Sequence, residues 1–233
     1  MRKRYFPNPQ PDGFYTGNAQ PDTQSGLLQD YYAWHWGDAL FIVLNPYWHG
    51  TRWRGDDRWG PTLGVEQYRW LQRTLETSHA RFKFVFIHQL VGGADRQGRG
   101  GVEAAAFGEW GGRNPDGTSG FAAQRPGWPL PIHALLLRHE VSAVFHGHDH
   151  LYARQELDGI VYQEVPQPGH PGEGTPRFAG EYGYRQGTIL GGAGHLRIKI
   201  TPAEASVEFV RARPAENRNG EVAHRYVIQP RTP

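Results

Sequence analysis

The chain has 233 residues, of which 38% are hydrophobic and 13% aromatic, a length and composition that suit one folded domain with a buried core and exclude a disordered chain. Its 25 basic and 23 acidic residues leave a net charge of +2, and the basic ones are scattered, so the clustered charge that displaces phosphate counterions is missing and nucleic-acid groove reading is not expected. Cysteine is absent, which excludes disulfides and thiolate ligands and leaves His, Asp, Glu or Asn for any transition-metal site.

Residues 1–30 are rich in Pro, Gly, Asn and Gln and read as an irregular arm with little core of its own. Met1-Arg2-Lys3-Arg4 is followed by Tyr5-Phe6-Pro7-Asn8-Pro9, not by an apolar h-region, so no signal peptide is expected and the chain as encoded reads as cytoplasmic. No run approaches the length of a membrane span, so a membrane partner is not expected. Ala39 to Leu44 is a continuous apolar run stopped by Asn45-Pro46, which predicts a buried strand. Over 64–78, Val65, Tyr68, Leu71 and Leu75 recur at helical spacing and predict an amphipathic helix. Phe82 to Ile87 is the next buried strand and delivers His88 at its carboxyl end.

Residues 89–128 form a long stretch dense in Gly, Arg and Trp, a length that usually marks a functional or partner-bound loop. Pro131 to Glu140 predicts a short helix opening on proline, and Val141 to Phe145 a third buried strand. Tyr152–Glu156 and Ile160–Glu164 flank Asp158-Gly159, a hairpin signal. Thr188–Leu190, Leu196–Ile200, Ala205–Arg211 and Tyr226–Ile228 read as strands of an antiparallel sheet. The middle is therefore β-α-β-α-β, and sites in such sheets collect at the carboxyl ends of the strands.

Two histidine groups lie at such ends: His88 after its strand, and His146-Gly147-His148-Asp149-His150 after the next. Histidines two apart reach one small volume when the intervening glycine lets the backbone turn. Neutral imidazole is the commonest ligand for zinc, iron and manganese. The other reading of this cluster is a His-rich surface turn.

Phe86-Ile87-His88 and Phe145-His146-Gly147-His148-Asp149-His150 resemble the C-terminal signature of calcineurin-like metallophosphoesterases. Trp36-Gly37-Asp38-Ala39-Leu40-Phe41, Glu109-Trp110-Gly111-Gly112 and Arg125-Pro126-Gly127-Trp128 are similar to a bacterial branch near the purple acid phosphatases and PhoD-like enzymes. The resemblance runs from about Tyr5 to Ile228. It implies an α/β fold, one half of that family's layered β-sandwich, with flanking helices and C-terminal antiparallel hairpins, forming a single truncated domain over residues 1–233. It also implies His88 and His148 on one metal and His150 on another. A metal-bound hydroxide would attack phosphorus in line. The cofactor implied is a divalent metal, zinc first, with manganese or iron as alternatives.

The departure is in the family's N-terminal motifs, Asp-x-His, Gly-Asp-x-x-Asp and Gly-Asn-His-Asp/Glu, none of which is present. A separate chain, self-association or substitute ligands would have to replace them, so a homo-oligomer or a partner chain is expected. Substitute candidates are His35, His49 and His170, with Asp38, Asp95, Glu103, Glu109, Asp149 and Glu173; each also reads as a packing or solvated residue, and Asp149 as a group that orients a neighbouring histidine.

His146 reads either as a general acid or as a buried hydrogen-bonded histidine. Arg96, Arg99, Arg113 and Arg125 are candidates for an anionic substrate group, and Trp110 and Trp128 for cleft walls or core. His79, His133, His139 and His224 read as surface, and His195 as structural. The expected function is hydrolysis of a small phosphodiester, activated triester or other ester-like substrate. The alternative is a non-catalytic metal-binding remnant, or a subunit that needs a partner chain.

Overall fold

The computed structural model describes residues 2–47, 50, 57–169, 175–213 and 218–231. The arm carries a short helix α1 (Arg2–Tyr5) and two-residue strands β1 (Thr16–Gly17), β2 (Pro21–Asp22) and β3 (Gly26–Leu27). The hairpin β4 (Tyr32–Trp36) and β5 (Ala39–Val43) follows, then α2 (Val65–Glu76) and β6 (Phe82–Ile87). The long 89–128 segment holds two short helices, α3 (Gly108–Gly111) and α4 (Phe121–Gln124). Beyond it come α5 (Ile132–Arg138), β7 (Ala143–His146), β8 (Tyr152–Leu157), β9 (Ile160–Glu164) and β10 (Thr188–Leu190), and finally β11 (Gly194–Ile200), β12 (Ala205–Arg211) and β13 (Val222–Ile228).

Eight strands form the central sheet in the order β1-β4-β5-β6-β7-β9-β8-β10, and β11-β12-β13 form a separate sheet. The β5–β6, β6–β7 and β7–β9 pairs are parallel, which requires crossovers; α2 and α5 lie in the first two. The β8–β9 hairpin turns on Asp158 and Gly159, whose φ values of 51° and 78° are the pair of positive angles a tight two-residue turn needs.

Period-two alternation sorts the core into two layers. Phe82, Phe84, Ala143, Phe145 and Val161 face Ala205, Val207 and Ile228 of the small sheet. Val85, Ile87, Val144, Ile160 and Tyr162 face the opposite way, toward Tyr68, Leu71 and Leu75 of α2 and Ile132, Leu135 and Leu136 of α5. The first layer is closed only in part. Phe41 and Phe86 of the central sheet, and Leu196, Ile198 and Ile200 of β11, remain half-buried. The rings of Tyr32, Trp34, Phe41, Phe86 and Phe145 stack in series along this face, at centroid spacings of 6.0, 4.9, 6.5 and 5.1 Å.

The architecture is the α/β half-sandwich that the sequence predicts. Some details differ. Thr188–Leu190 joins the central sheet through β8 and not the C-terminal sheet, because its register partners are Arg154, Ala153 and Tyr152. The arm ends in a strand, β4, that pairs antiparallel with β5. His133 and His224 are not free surface groups: His133 bonds the Tyr162 hydroxyl at 2.7 Å and Asp158 at 3.0 Å, and His224 bonds the Tyr152 hydroxyl at 2.6 Å.

The long segment is fastened at Glu109, which is fully buried. Its carboxylate accepts from Arg125 Nε at 2.5 Å, Thr62 Oγ1 at 2.5 Å and Leu63 N at 2.9 Å. Removing one member of a buried pair leaves the other charge uncompensated. Glu109→Ala is expected to lower stability by about 3 kcal/mol, read as a reduced urea midpoint at unchanged slope; a loss below about 1 kcal/mol would mean that the segment is held elsewhere.

Candidate metal centre

Strands β6 and β7 end side by side, with Ile87 opposite His146 in register. One further backbone bond, from Gly147 N to His88 O at 2.8 Å, carries the pairing past the last register pair. This puts the side chains that follow each strand at one edge. His88 Nε2 lies 3.2 Å from His148 Nδ1. His148 Nε2 is 2.8 Å from the carbonyl of Gln97, a bond that requires the proton on Nε2 and leaves the Nδ1 lone pair toward His88. The Gln97 carbonyl is itself fixed: Asp95 accepts the backbone N–H groups of Gln97 at 2.8 Å and Arg99 at 3.1 Å, and pairs with Arg99 Nε at 2.5 Å.

The turn that carries His148 and His150 is made by the histidines themselves. Their φ values are 90° and 58°, whereas Gly147 is not among the residues with positive φ, and a Cβ there would meet nothing closer than His88 O at 3.7 Å. The expectation that glycine supplies the turn is therefore corrected. Two non-glycine residues hold left-handed angles, a local strain that persists only when the surroundings over-determine it.

The surroundings are a buried polar network beneath the turn. His146 and Glu164 are register partners on adjacent parallel strands, and Nδ1 lies 2.8 Å from Oε2, with 2% and 0% of the two side chains exposed. Glu164 accepts Asp149 N at 2.9 Å and also the backbone N–H of His150. Asp149 in turn accepts Gly100 N at 2.9 Å and the Tyr184 hydroxyl at 2.8 Å. Burial raises the carboxyl of Glu164 well above the usual range and lowers the imidazole of His146, so both shifts keep net charge off the pair. His146 is sealed in this layer, and its Nε2 has no hydrogen-bond partner.

Above the network, His88 and His150 are solvent-accessible. The His88 imidazole is held below the ordinary histidine value, first by desolvation of its partly covered ring and then by His148 and His150. Neutral imidazoles are what a divalent ion requires. Two Zn–N bonds of about 2.0–2.1 Å at a tetrahedral angle place their nitrogens about 3.3 Å apart, so the His88–His148 spacing fits one shared ion. Among the described residues no group of three His, Asp or Glu side chains encloses a single position. His88 and His148 supply two donors, and His150 stands apart from them on the same turn.

Of the substitute candidates, His35 bonds Ser78 Oγ at 3.0 Å, and Asp38 is exposed at the opposite end of β5. Asp95, Glu109 and Asp149 are committed to the bonds described, and Glu103 to Gln155 and the Arg185 N–H. His49, His170 and Glu173 lie outside the described residues. Arg99 and Arg125 are paired, Trp110 fills the helix-side core, and Trp128 stacks on Tyr68 at 3.9 Å. Sequence reading missed Glu164, Tyr184 and the Gln97 carbonyl. It also missed Asp30 and Tyr47, which line a pocket beside His88.

Among solved structures the chain resembles GAP50, described as the anchor in the inner membrane complex of Plasmodium, at 12% identity and TM-score 0.52, over 87% of this chain and 54% of that one. It also resembles PhoD, at 15% identity and TM-score 0.51, over 91% of this chain and 42% of that one. A purple acid phosphatase, PPD1 of yellow lupin, aligns at 14% identity and TM-score 0.49, over 85% of this chain and 32% of that one. The chain spans about half or less of the length of these proteins. No protein-family model matches it, and no curated protein does either. The fold is metallophosphoesterase-like, and at these identities the likeness is one of fold alone.

A depressed His88 has a defined signature. Between its folded value and the unfolded value of about 6.5, the unfolded chain binds a proton that the folded chain does not, so stability rises with pH through that window and falls on acidification. In metal-free protein the His88 resonance is expected to titrate below about pH 6.5, and a midpoint at or above that value would contradict the packing described.

Proposed function

We propose that the chain is a metal-dependent hydrolase of phosphate esters, diesters or activated triesters, with His88 and His148 as ligands to one ion and His150 as a ligand to a second. The observation that carries this reading is the His88–His148 pair, 3.2 Å apart, with the far nitrogen of His148 committed to a backbone carbonyl. That outer bond is the usual way a ligating histidine is oriented. Zinc is the first candidate, with manganese or iron as alternatives. A bound divalent ion supplies Lewis-acid stabilisation of phosphoryl oxygens and lowers the pKa of water. In this reading His146 is a buried neighbour of Glu164, Nδ1 2.8 Å from Oε2, and Glu164 holds the backbone of the ligand turn through its other oxygen.

The test is metal content and hydrolysis of a chromogenic phosphodiester by wild type and a His148→Ala/His150→Ala double variant. Wild type is expected to hold at least about one ion per chain. The variant is expected to lose it, and to lose more than the roughly 10–100-fold in activity that removing an outer partner costs. Metal-free wild type, or equal activity in both, would sink the proposal.

A second reading is a metal-binding subunit that another chain, of the same or a different kind, must complete. It is favoured by the half-buried row of Leu196, Ile198 and Ile200 beside Phe41 and Phe86, because apolar faces of folded proteins are normally covered. GAP50, which this fold resembles, is described as an anchor. Sedimentation at micromolar concentration is expected to show association, and a monodisperse monomer would exclude a site completed by self-association.

A further inference from the structure

The pocket beside His88 has a volume of about 320 Å³ and is lined by Leu28, Asp30, Leu44, Asn45, Pro46 and Tyr47 together with His88. That is a size suited to a small organic group. Its acidic feature among the described residues is Asp30, and the carboxylate is built in. Asn18 Nδ2 donates to Oδ1 at 2.9 Å, and Asn45 Nδ2 donates to Oδ2 at 3.1 Å. Both amides are themselves oriented, because Asn18 Oδ1 accepts the Gln20 N–H at 3.0 Å and Asn45 Oδ1 accepts the Tyr47 N–H at 3.0 Å.

Asn45 is further fixed by the Gln67 side chain, which bonds its N–H at 2.8 Å and its carbonyl at 2.9 Å. Each oxygen of Asp30 therefore keeps a lone pair beyond the amide it holds. Tyr47 lies against the His88 ring at 5.6 Å, and its hydroxyl is anchored on Gln89 at 2.9 Å. Leu28, Leu44 and Pro46 make the remaining wall apolar.

No Lys or Arg lines this pocket among the described residues, although the chain as a whole is net positive. An anionic group entering it meets a carboxylate that no described Lys or Arg of the lining faces. A cationic group meets that carboxylate, an aromatic face and an apolar wall, the combination that recognises organic ammonium ions. We propose that the Asp30–Tyr47 pocket binds an ammonium-bearing moiety, so that the ester handled at His88 and His148 carries a positively charged alcohol. The substrate part rests on the hydrolase reading; the binding part does not.

Choline and its neutral carbon isostere dimethylbutanol are titrated calorimetrically into metal-free wild type, Asp30→Asn and Tyr47→Leu. Wild type is expected to bind choline about tenfold more tightly than the isostere. Asp30→Asn should remove most of that difference, and Tyr47→Leu should weaken choline severalfold. Equal affinities in wild type, or a preference that survives Asp30→Asn, would overturn the pocket assignment.

With metal restored, nitrophenyl phosphorylcholine and bis(nitrophenyl) phosphate are then compared as substrates. Choline preference with neither ester hydrolysed overturns the hydrolase reading and supports the pocket. Hydrolysis of both without choline preference overturns the pocket and supports the hydrolase. Hydrolysis with a lower KM for the choline ester, lost in Asp30→Asn, supports both.

Discussion

The parallel pairing of β6 with β7 is the constraint on which the site depends. Its register, Phe84 to Ala143 through Ile87 to His146, sends every second residue of both strands to the same layer. A slip of β6 by one residue would turn Phe84 away from the small sheet and Val85 away from the helices, and a slip of β7 would do the same to Phe145 and Val144. The apolar patterning on both faces therefore fixes the register, and the register fixes the place where the chain leaves each strand. His88 and His148 meet as a consequence of core packing.

The turn from Gly147 to His150 is less natural for the chain. Two histidines at positive φ cost energy that a loop in water would shed by relaxing. Here relaxation is opposed from below, where Glu164 binds two successive backbone N–H groups of the turn and Asp149 ties it to Gly100 and Tyr184. A buried carboxylate used in this way is a backbone anchor. Its own desolvation is only partly offset: among the described residues Glu164 Oε2, Asp149 Oδ1 and His146 Nε2 have no hydrogen-bond partner, which marks where the network is under most stress.

Much of this was legible in the sequence. The apolar runs ending at Asn45, His88 and His146 gave three parallel strands, and helical spacing gave α2 within two residues at each end. His-x-His after a buried strand lies at the sheet edge where His88 and His148 meet. What could not be read were partners set by tertiary register. Glu164 ends an ordinary-looking strand, and only its pairing with His146 reveals it as the floor of the site. Asp30 sits in a Gln- and Asn-rich arm, where carboxylates are usually solvated; its significance comes from two asparagine amides, one 12 and one 15 residues away. Tyr32–Trp36 was hidden because it is short, is interrupted by His35, and sets its aromatic rings on a half-exposed face.

The two flanks of the histidine pair are not equivalent. On one side the 95–100 loop is locked by Asp95 and Arg99, and its Gln97 carbonyl backs directly onto His148. On the other side His88 opens into the pocket of Asp30 and Tyr47, on the same flank of the sheet as the partly covered ring series of Trp34, Phe41 and Phe86. Among the described residues, His88 meets Tyr47 and the Asp30 pocket on one side and His148, backed by the 95–100 loop, on the other. In the proposed reading the residues that select a ligand lie on the N-terminal arm and the end of β5, while those that hold the histidines lie on β6, β7, β9 and the loops behind them. Variation in the arm can alter selectivity without disturbing the register that builds the site.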